Sequence, residues 1–369
     1  MISPKEYIIY GVYIDEQKQK ILNNGQCSDN QSINSSGDGA DEKKESWDPE
    51  IPNTVTTILM DKDFNMILKP GFIPNSVKYI KFGDAYDRCL EPGSIPEGVE
   101  KIVFGSNFNQ FLKPGILPST LKILDMGQTL VNGYSAPIIA GGIPSTVEEL
   151  YFSNSFNQPL KPGVIPNKVI TLKFGRNFNQ PLPENSIPSS VKTLYLGSSY
   201  DYPLEFGTIP RSVRELVLSD SFNQELSPGD IPLTVEFLSF GDHFNQPLLP
   251  GCIPESVVFL RFGKNFNRPL THGSIPLTCD TLILSEQYNH PIKIEFIPFV
   301  KNLEPISIRK LIVGATYNNN SLSNSNNSIL NSSNGSIPNN NSNTNSSPST
   351  KDRLSFPILD YYRIKLKKL

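Results

Sequence analysis

Histidine is scarce in this sequence. Only His243, His272 and His290 occur, and no two of them have the spacing of helical metal ligands. A metal centre is not expected, and the three are read as solvated turn residues. Cysteine is also thin. Cys27, Cys89, Cys252 and Cys279 are scattered with no C-x-x-C pair, which excludes a zinc ribbon and a disulfide framework. No apolar run reaches the roughly 18 residues that a membrane helix needs. The opening stretch MISPKEYIIYGVYIDEQ holds one short apolar run broken by Gly11, so no secretory leader is read there. Charge of one sign is lacking too: 33 Lys and Arg stand against 36 Asp and Glu, a net charge of −3. That balance argues against nucleic acid as a partner. The expectation is a monomer in the reducing cytoplasm, away from membranes.

Catalytic signatures are missing as well. There is no phosphate-binding G-x-x-x-x-G-K-[ST], no G-x-S-x-G elbow and no kinase motif. Glu148 and Glu149 are adjacent in an extended stretch, so they point to opposite faces and cannot work as a carboxylate pair. No catalytic, cofactor-binding or metal-binding residue is assigned, and the chain is read as a non-enzyme.

What the sequence has is repetition. An Ile-Pro pair, once Leu-Pro, falls at 51, 73, 95, 117, 143, 165, 187, 209, 231, 253, 275 and 297. Every step is 22 residues except one of 26, whose extra residues lie near GQTLVNGY (127–134). After 297 the phase slips and returns as SIRKLIVGATYN (307–318). Counted from the Ile, each unit reads I-P-x-S-V-x-x-L-x-F-G-x-x-F-N-Q-P-L-x-P-G-x. Positions 5, 8 and 10 are apolar, and the last two alternate with polar residues as in a short strand. Gly at position 11 is read as the strand's end. Prolines at positions 2, 17 and 20 remove amide donors and oppose helix. Each unit is therefore one short strand with an irregular return.

Position 14 is aromatic in every unit: Phe64, Tyr86, Phe108, Tyr134, Phe156, Phe178, Tyr200, Phe222, Phe244, Phe266, Tyr288 and Tyr317. An unbroken column predicts an internal ring stack, completed by Leu or Ile at position 18 and Ile at position 1. Position 15 is Asn in nine units, Asp at Asp87 and Asp201, and Ser at Ser135. A short polar side chain beside a buried ring needs partners, which predicts a ladder of bonds to backbone in its own or the next coil.

Residues 1–22 form a short N-terminal segment and a possible cap. Residues 23–46 and the Asn/Ser-rich low-complexity tract 319–350 have little to bury and are read as disordered linkers. Residues 351–369 are read as a C-terminal cap segment on the repeat domain 47–318.

The string F-N-x-P-L-x-P-G-x-I-P-x-S-V-x-x-L-x-F-G resembles the FNIP repeat, a relative of the leucine-rich repeat. The resemblance covers about residues 51–318, departing locally at Leu117, at the insertion and at PENS (183–186). It implies a mainly β, right-handed solenoid of about twelve coils with one short parallel strand per coil and a concave sheet. A right-handed crossover is also what strand twist favours. The resemblance brings no catalytic residues. Some members carry a kinase or F-box module, and neither is found here.

The core columns scarcely vary within this one chain, whereas positions 7 and 9 vary freely. These two flank the inward position 8 and so face outward on the sheet. The candidate partner-binding residues are Tyr79, Lys81, Lys101, Glu149, Tyr151, Lys173, Tyr195, Glu215, Phe237, Phe259 and Arg261. Aromatic and Arg side chains are common binding anchors, and Phe237 and Phe259, on neighbouring strands beside Arg261, are expected to stand fully outward. The reading is a non-enzymatic scaffold that binds an unidentified protein, with no cofactor. The alternative is an adaptor that selects substrates for a recruited enzyme such as a ubiquitin ligase. The bland alternative is an ordinary strand surface.

Overall fold

The computed structural model describes residues 6–9, 51–127, 133–285, 287–291 and 310–312. The two stretches read as linkers, the segment 351–369 and Tyr317 lie outside the described residues.

Among the described residues thirteen strands form one parallel sheet in sequence order. They are β1 (Glu6–Ile9), β2 (Thr57–Met60), β3 (Tyr79–Lys81), β4 (Lys101–Val103), β5 (Ile123–Asp125), β6 (Glu149–Tyr151), β7 (Thr171–Lys173), β8 (Thr193–Tyr195), β9 (Glu215–Val217), β10 (Phe237–Ser239), β11 (Phe259–Arg261), β12 (Thr281–Ile283) and β13 (Lys310–Ile312). Strands β2 to β12 arise one per repeat. Ten coils run from Ile51 to Ser274, one of them interrupted at 128–132. An eleventh is described as far as Pro291, and of the twelfth only β13. The register Leu282↔Leu311 puts Leu311 at position 8, so the phase does return after the slip. Strand β1, in parallel register with β2, was not read from the sequence.

Turn chemistry explains the prolines and one of the glycines. At positions 19–22 the x-Pro-Gly-x string closes a tight turn, as in Phe72 N donating to Lys69 O at 3.2 Å. Gly71, Gly93 and Gly163 sit there with φ of 84°, 84° and 83°, the left-handed value a type II turn requires after its Pro. In PENS, Asn185 takes this slot at φ 63° and the turn still closes, Ser186 N donating to Pro183 O at 3.0 Å. The departure from the repeat therefore changes a residue and not the bend.

The glycine at position 11 has a different reason from the one read in the sequence. It does not end the pairing, since Phe174 just before it still donates its amide to Tyr195 O at 2.9 Å. It is small because the coils nearly touch there. A Cβ on Gly241 would lie 2.0 Å from the Ser219 carbonyl oxygen, and one on Gly175 would lie 2.0 Å from that of Ser153.

The interior is a double column of rings. All eleven described aromatics at position 14 are buried. Successive rings lie nearly parallel, as in Phe178–Tyr200 at 6.2 Å and 6° and Phe266–Tyr288 at 6.1 Å and 10°. Position 10 adds a second aromatic row in six coils. Phe174 stacks on Phe178 at 4.1 Å, and Phe104 on Phe108 at 3.8 Å. The tyrosines bring a cost. The hydroxyls of Tyr86 and Tyr200 are buried with no hydrogen-bond partner among the described residues, and burial pushes both above the usual tyrosine range. An unpaired buried hydroxyl costs about 1–3 kcal/mol. Tyr200→Phe is therefore expected to stabilise the fold by about 1 kcal/mol in a urea titration. A clear loss of stability would mean that the hydroxyl is bonded.

Two polar ladders run beside the rings. The position-15 side chain accepts the position-15 amide of the next coil: Asn157 Oδ1 from Asn179 N at 2.8 Å, Asn223 Oδ1 from Asn245 N at 2.8 Å, Asn245 Oδ1 from Asn267 N at 2.9 Å. Asp201 serves equally, accepting from Asn223 N at 2.9 Å. The second ladder was not read from the sequence. Ser or Thr at position 4 donates to the position-5 carbonyl of the coil before, as Ser190 Oγ does to Val169 O and Ser212 Oγ to Val191 O, both at 2.7 Å.

The cysteines divide. Cys252 replaces the Ser of position 22 and bonds Leu226 O at 2.8 Å, as Ser274 Oγ bonds Leu248 O. Cys279 replaces the Val of position 5 and is buried, which pushes its thiol up to about 12, Asp280 adding to the rise. Cys89 is half-buried, with its Sγ 3.1 Å from Gln110 Oε1.

Candidate functional site

Strand alternation presents positions 7 and 9 on the open face of the sheet, and the burial pattern confirms it. In β4 to β11 the middle residue is buried and both flanking residues are half-buried. The pairing aligns Glu215↔Phe237↔Phe259 in one row and Val217↔Ser239↔Arg261 in the other. All eleven residues named from the sequence therefore lie on this face, in a band from β3 to β11. Lys81 is the exposed member.

Neighbouring strands bring these residues into contact, and three groups result. On β3 to β6, the Lys101 ammonium stands 5.2 Å from the Tyr79 ring centroid. Beside it lies Asp125, which the sequence reading left out of the site. Burial pushes the Asp125 carboxyl up, against the opposing pull of the Gly127 amide, Lys173 and Lys101. Burial and Asp125 together raise the Tyr79 hydroxyl. Tyr151 donates to Glu149 Oε2 at 2.7 Å, two residues back on its own strand. The available signal for Asp125 was that it is the lone acidic residue at position 9.

The second group spans β7 to β9. The Lys173 ammonium stands 5.9 Å from the Tyr195 ring, and the Tyr195 hydroxyl donates to Glu215 Oε1 at 2.6 Å. In the third group the Phe237 and Phe259 rings stack at 5.6 Å and 29°. The expectation that these rings stand fully outward is corrected: both are half-buried, because each covers a face of the other. The pair behaves as one apolar plate on the sheet, with Arg261 two residues beyond Phe259.

The most exposed large apolar side chains lie elsewhere. Phe206, Leu233, Leu249 and Leu277 are 71%, 78%, 58% and 55% exposed, at positions 20, 3, 19 and 3. Sequence reasoning passed over them because those positions read as turn. Two histidines serve the coil. His243 Nδ1 is 2.8 Å from Asp220 O and His290 Nε2 is 3.1 Å from Asn267 O, each a carbonyl of the preceding coil. Among the described residues no three His, Cys, Asp or Glu side chains group as metal ligands, and no helix is long and apolar enough to cross a membrane.

A family model described as FNIP Repeat matches the chain at 48–85, 86–129, 134–177, 178–221, 200–243, 222–265, 244–287 and 266–304. A solved structure titled "The crystal structure of CroV588 a novel circular LRR protein structure" is similar to it, with a TM-score of 0.64 and 24% sequence identity. The match covers 73% of this chain and 44% of that one, so the chain spans under half the length of that protein. The likeness is one of fold. No curated protein matches the chain.

Proposed function

The chain belongs to the FNIP-repeat family, and from that premise we propose that it is a non-enzymatic scaffold binding a protein partner on the open face of its sheet. The observation that carries the reading is the contrast between fixed columns and free rows. Core positions repeat because every coil offers the same cavity, while positions 7 and 9 meet no such demand. They nevertheless carry aromatic and charged side chains tied together by Tyr–Glu bonds and Lys–Tyr contacts. Side chains ordered before binding lose less entropy on association. The scaffold acts as a monomer in the cytoplasm, and no nucleic acid or membrane is part of its function.

The Phe237–Phe259 plate is the main anchor of this face, with Glu215 and Arg261 at its rim. Truncating a true anchor costs about 2 kcal/mol or more, and rim positions cost little. Phe237→Ala with Phe259→Ala is therefore expected to abolish capture of the proteins that the wild type retains, read by quantitative identification of the captured proteins. The control pair is Lys113→Ala with Lys161→Ala, at position 19 in the return. Loss with the Lys pair and none with the Phe pair places the partner on the other side and leaves the open face as strand surface.

A further inference from the structure

We infer a second docking surface, on the corner of coils seven to eleven, that takes a short amphipathic segment with basic residues flanking apolar ones. This corner is the turn at positions 19–22 followed by the turn at the next Ile-Pro, and it is distinct from the sheet face. It begins at Phe206, which stands at position 20, where six other coils have the turn proline. A Cβ on Gly229, at position 21 of the next coil, would lie 3.5 Å from the Phe206 ring. Pro228 and Pro250 continue the column, each packed under the glycine of the following coil in the same way. Leu249 directly precedes Pro250, and Leu233 and Leu277 occupy position 3, the position from which Arg211 reaches the Phe206 ring. The four most exposed large apolar side chains among the described residues thus all belong to this corner.

The same corner on earlier coils is more polar, although Ile139 at position 19 of coil four is 41% exposed. It presents Lys69, Lys113 and Lys161 at position 19, and Asn75, Ser119 and Asn167 at position 3. The turn itself needs only its Pro and Gly, so the geometry does not call for Leu at position 3 in coils nine and eleven. An exposed apolar ridge rimmed by polar residues marks an interaction site.

Charge selects the occupant. Glu205 adjoins Phe206, Glu255 lies between Leu233 and Leu277, and Asp230 closes the turn beside Pro228. Glu184 leans in from the preceding corner, its side chain 3.4 Å from the Cβ position of Gly207. Against these carboxylates stand Arg211, 5.5 Å from the Phe206 ring centroid, and His272 at position 20 of coil ten. An acidic rim around an apolar ridge complements Lys or Arg flanking Leu or Phe, and repels an acidic segment. Coils are 6.1 Å apart at the ring column, so the three steps from Phe206 to Leu277 span about 18 Å, or roughly twelve helical residues.

The test is fluorescence anisotropy with the full chain and a labelled amphipathic Leu/Lys peptide of about fourteen residues. Saturable binding that weakens with added salt is expected. The same peptide with Glu for Lys is expected not to bind. Phe206→Ala with Leu233→Ala is expected to weaken binding about tenfold or more. Both side chains are exposed, so the melting temperature is expected to hold. If that variant misfolds, Glu205→Gln with Glu255→Gln supplies the same reading through charge alone. No saturable binding, equal binding of the Glu peptide, or a loss caused by the Phe237/Phe259 variant in place of the corner variants overturns the inference. The last of these would leave the sheet-face reading standing.

Discussion

Phe178→Ala is expected to lower the unfolding free energy by about 3–5 kcal/mol, as truncation of a fully buried ring does. The ring has no solvent-exposed edge. It stacks on Phe156 at 6.2 Å, on Tyr200 at 6.2 Å and on Phe174 at 4.1 Å, so one truncation breaks contacts in three coils. In a solenoid the interface between neighbouring coils carries much of the stability, because each repeat alone cannot close its core. The cavity would sit in the middle of the array, where no terminal fraying can relieve it. Tyr195→Ala on the open face is the comparison. That ring is half-buried and loses a cation–π contact and one hydrogen bond to Glu215. It is expected to cost about 1–2 kcal/mol. Equal urea midpoints for the two variants would mean that the assignment of faces is wrong.

The columns were legible in the sequence because every coil repeats the same environment. An aromatic at position 14 and Leu at position 8 recur wherever the interior recurs, so one chain supplies its own comparison. Contacts between coils were less legible. The glycine at position 11 reads as a terminator within its own unit, and only the carbonyl of the neighbouring coil shows why a Cβ has no room. The Ser or Thr at position 4 is similar, since its acceptor lies about one repeat earlier in the chain. On the open face, alternation shows which side chains flank the buried strand centre, but it could not show that Phe237 and Phe259 shield one another. That depends on rotamers. Asp125 escaped because a lone carboxylate on a strand reads as solvated, whereas its neighbours desolvate it. The Phe206 ridge escaped because a turn tolerates many residues, so an apolar one there carries no structural demand to notice. Strand β1 comes from a stretch with no repeat to set it in phase.

The position-15 ladder offers the second large effect, and it separates hydrogen bonding from charge. Asn223 accepts the part-buried amide of Asn245 at 2.8 Å, and its own amide donates to Asp201 Oδ1 at 2.9 Å. Asn223→Ala deletes the acceptor and leaves the Asn245 amide facing a ring column with no partner. The expected loss is about 1–3 kcal/mol, the cost of an unmade bond at a partly buried donor. Asn223→Asp keeps an oxygen in the same place and is expected to lose little. The chain already carries this substitution at Asp87, which accepts Asn109 N at 2.9 Å, and at Asp201. A carboxylate would also stand next to Asp201 in the ladder, so a small electrostatic penalty that shrinks with added salt is expected. Urea titrations of both variants at low and high salt distinguish the cases. If Asn223→Asp loses as much as Asn223→Ala, the amide group matters through its own donors and the ladder is not held by the oxygen alone. If neither loses stability, water serves the Asn245 amide as well as the side chain does, and the recurrence of Asn at this position has another cause.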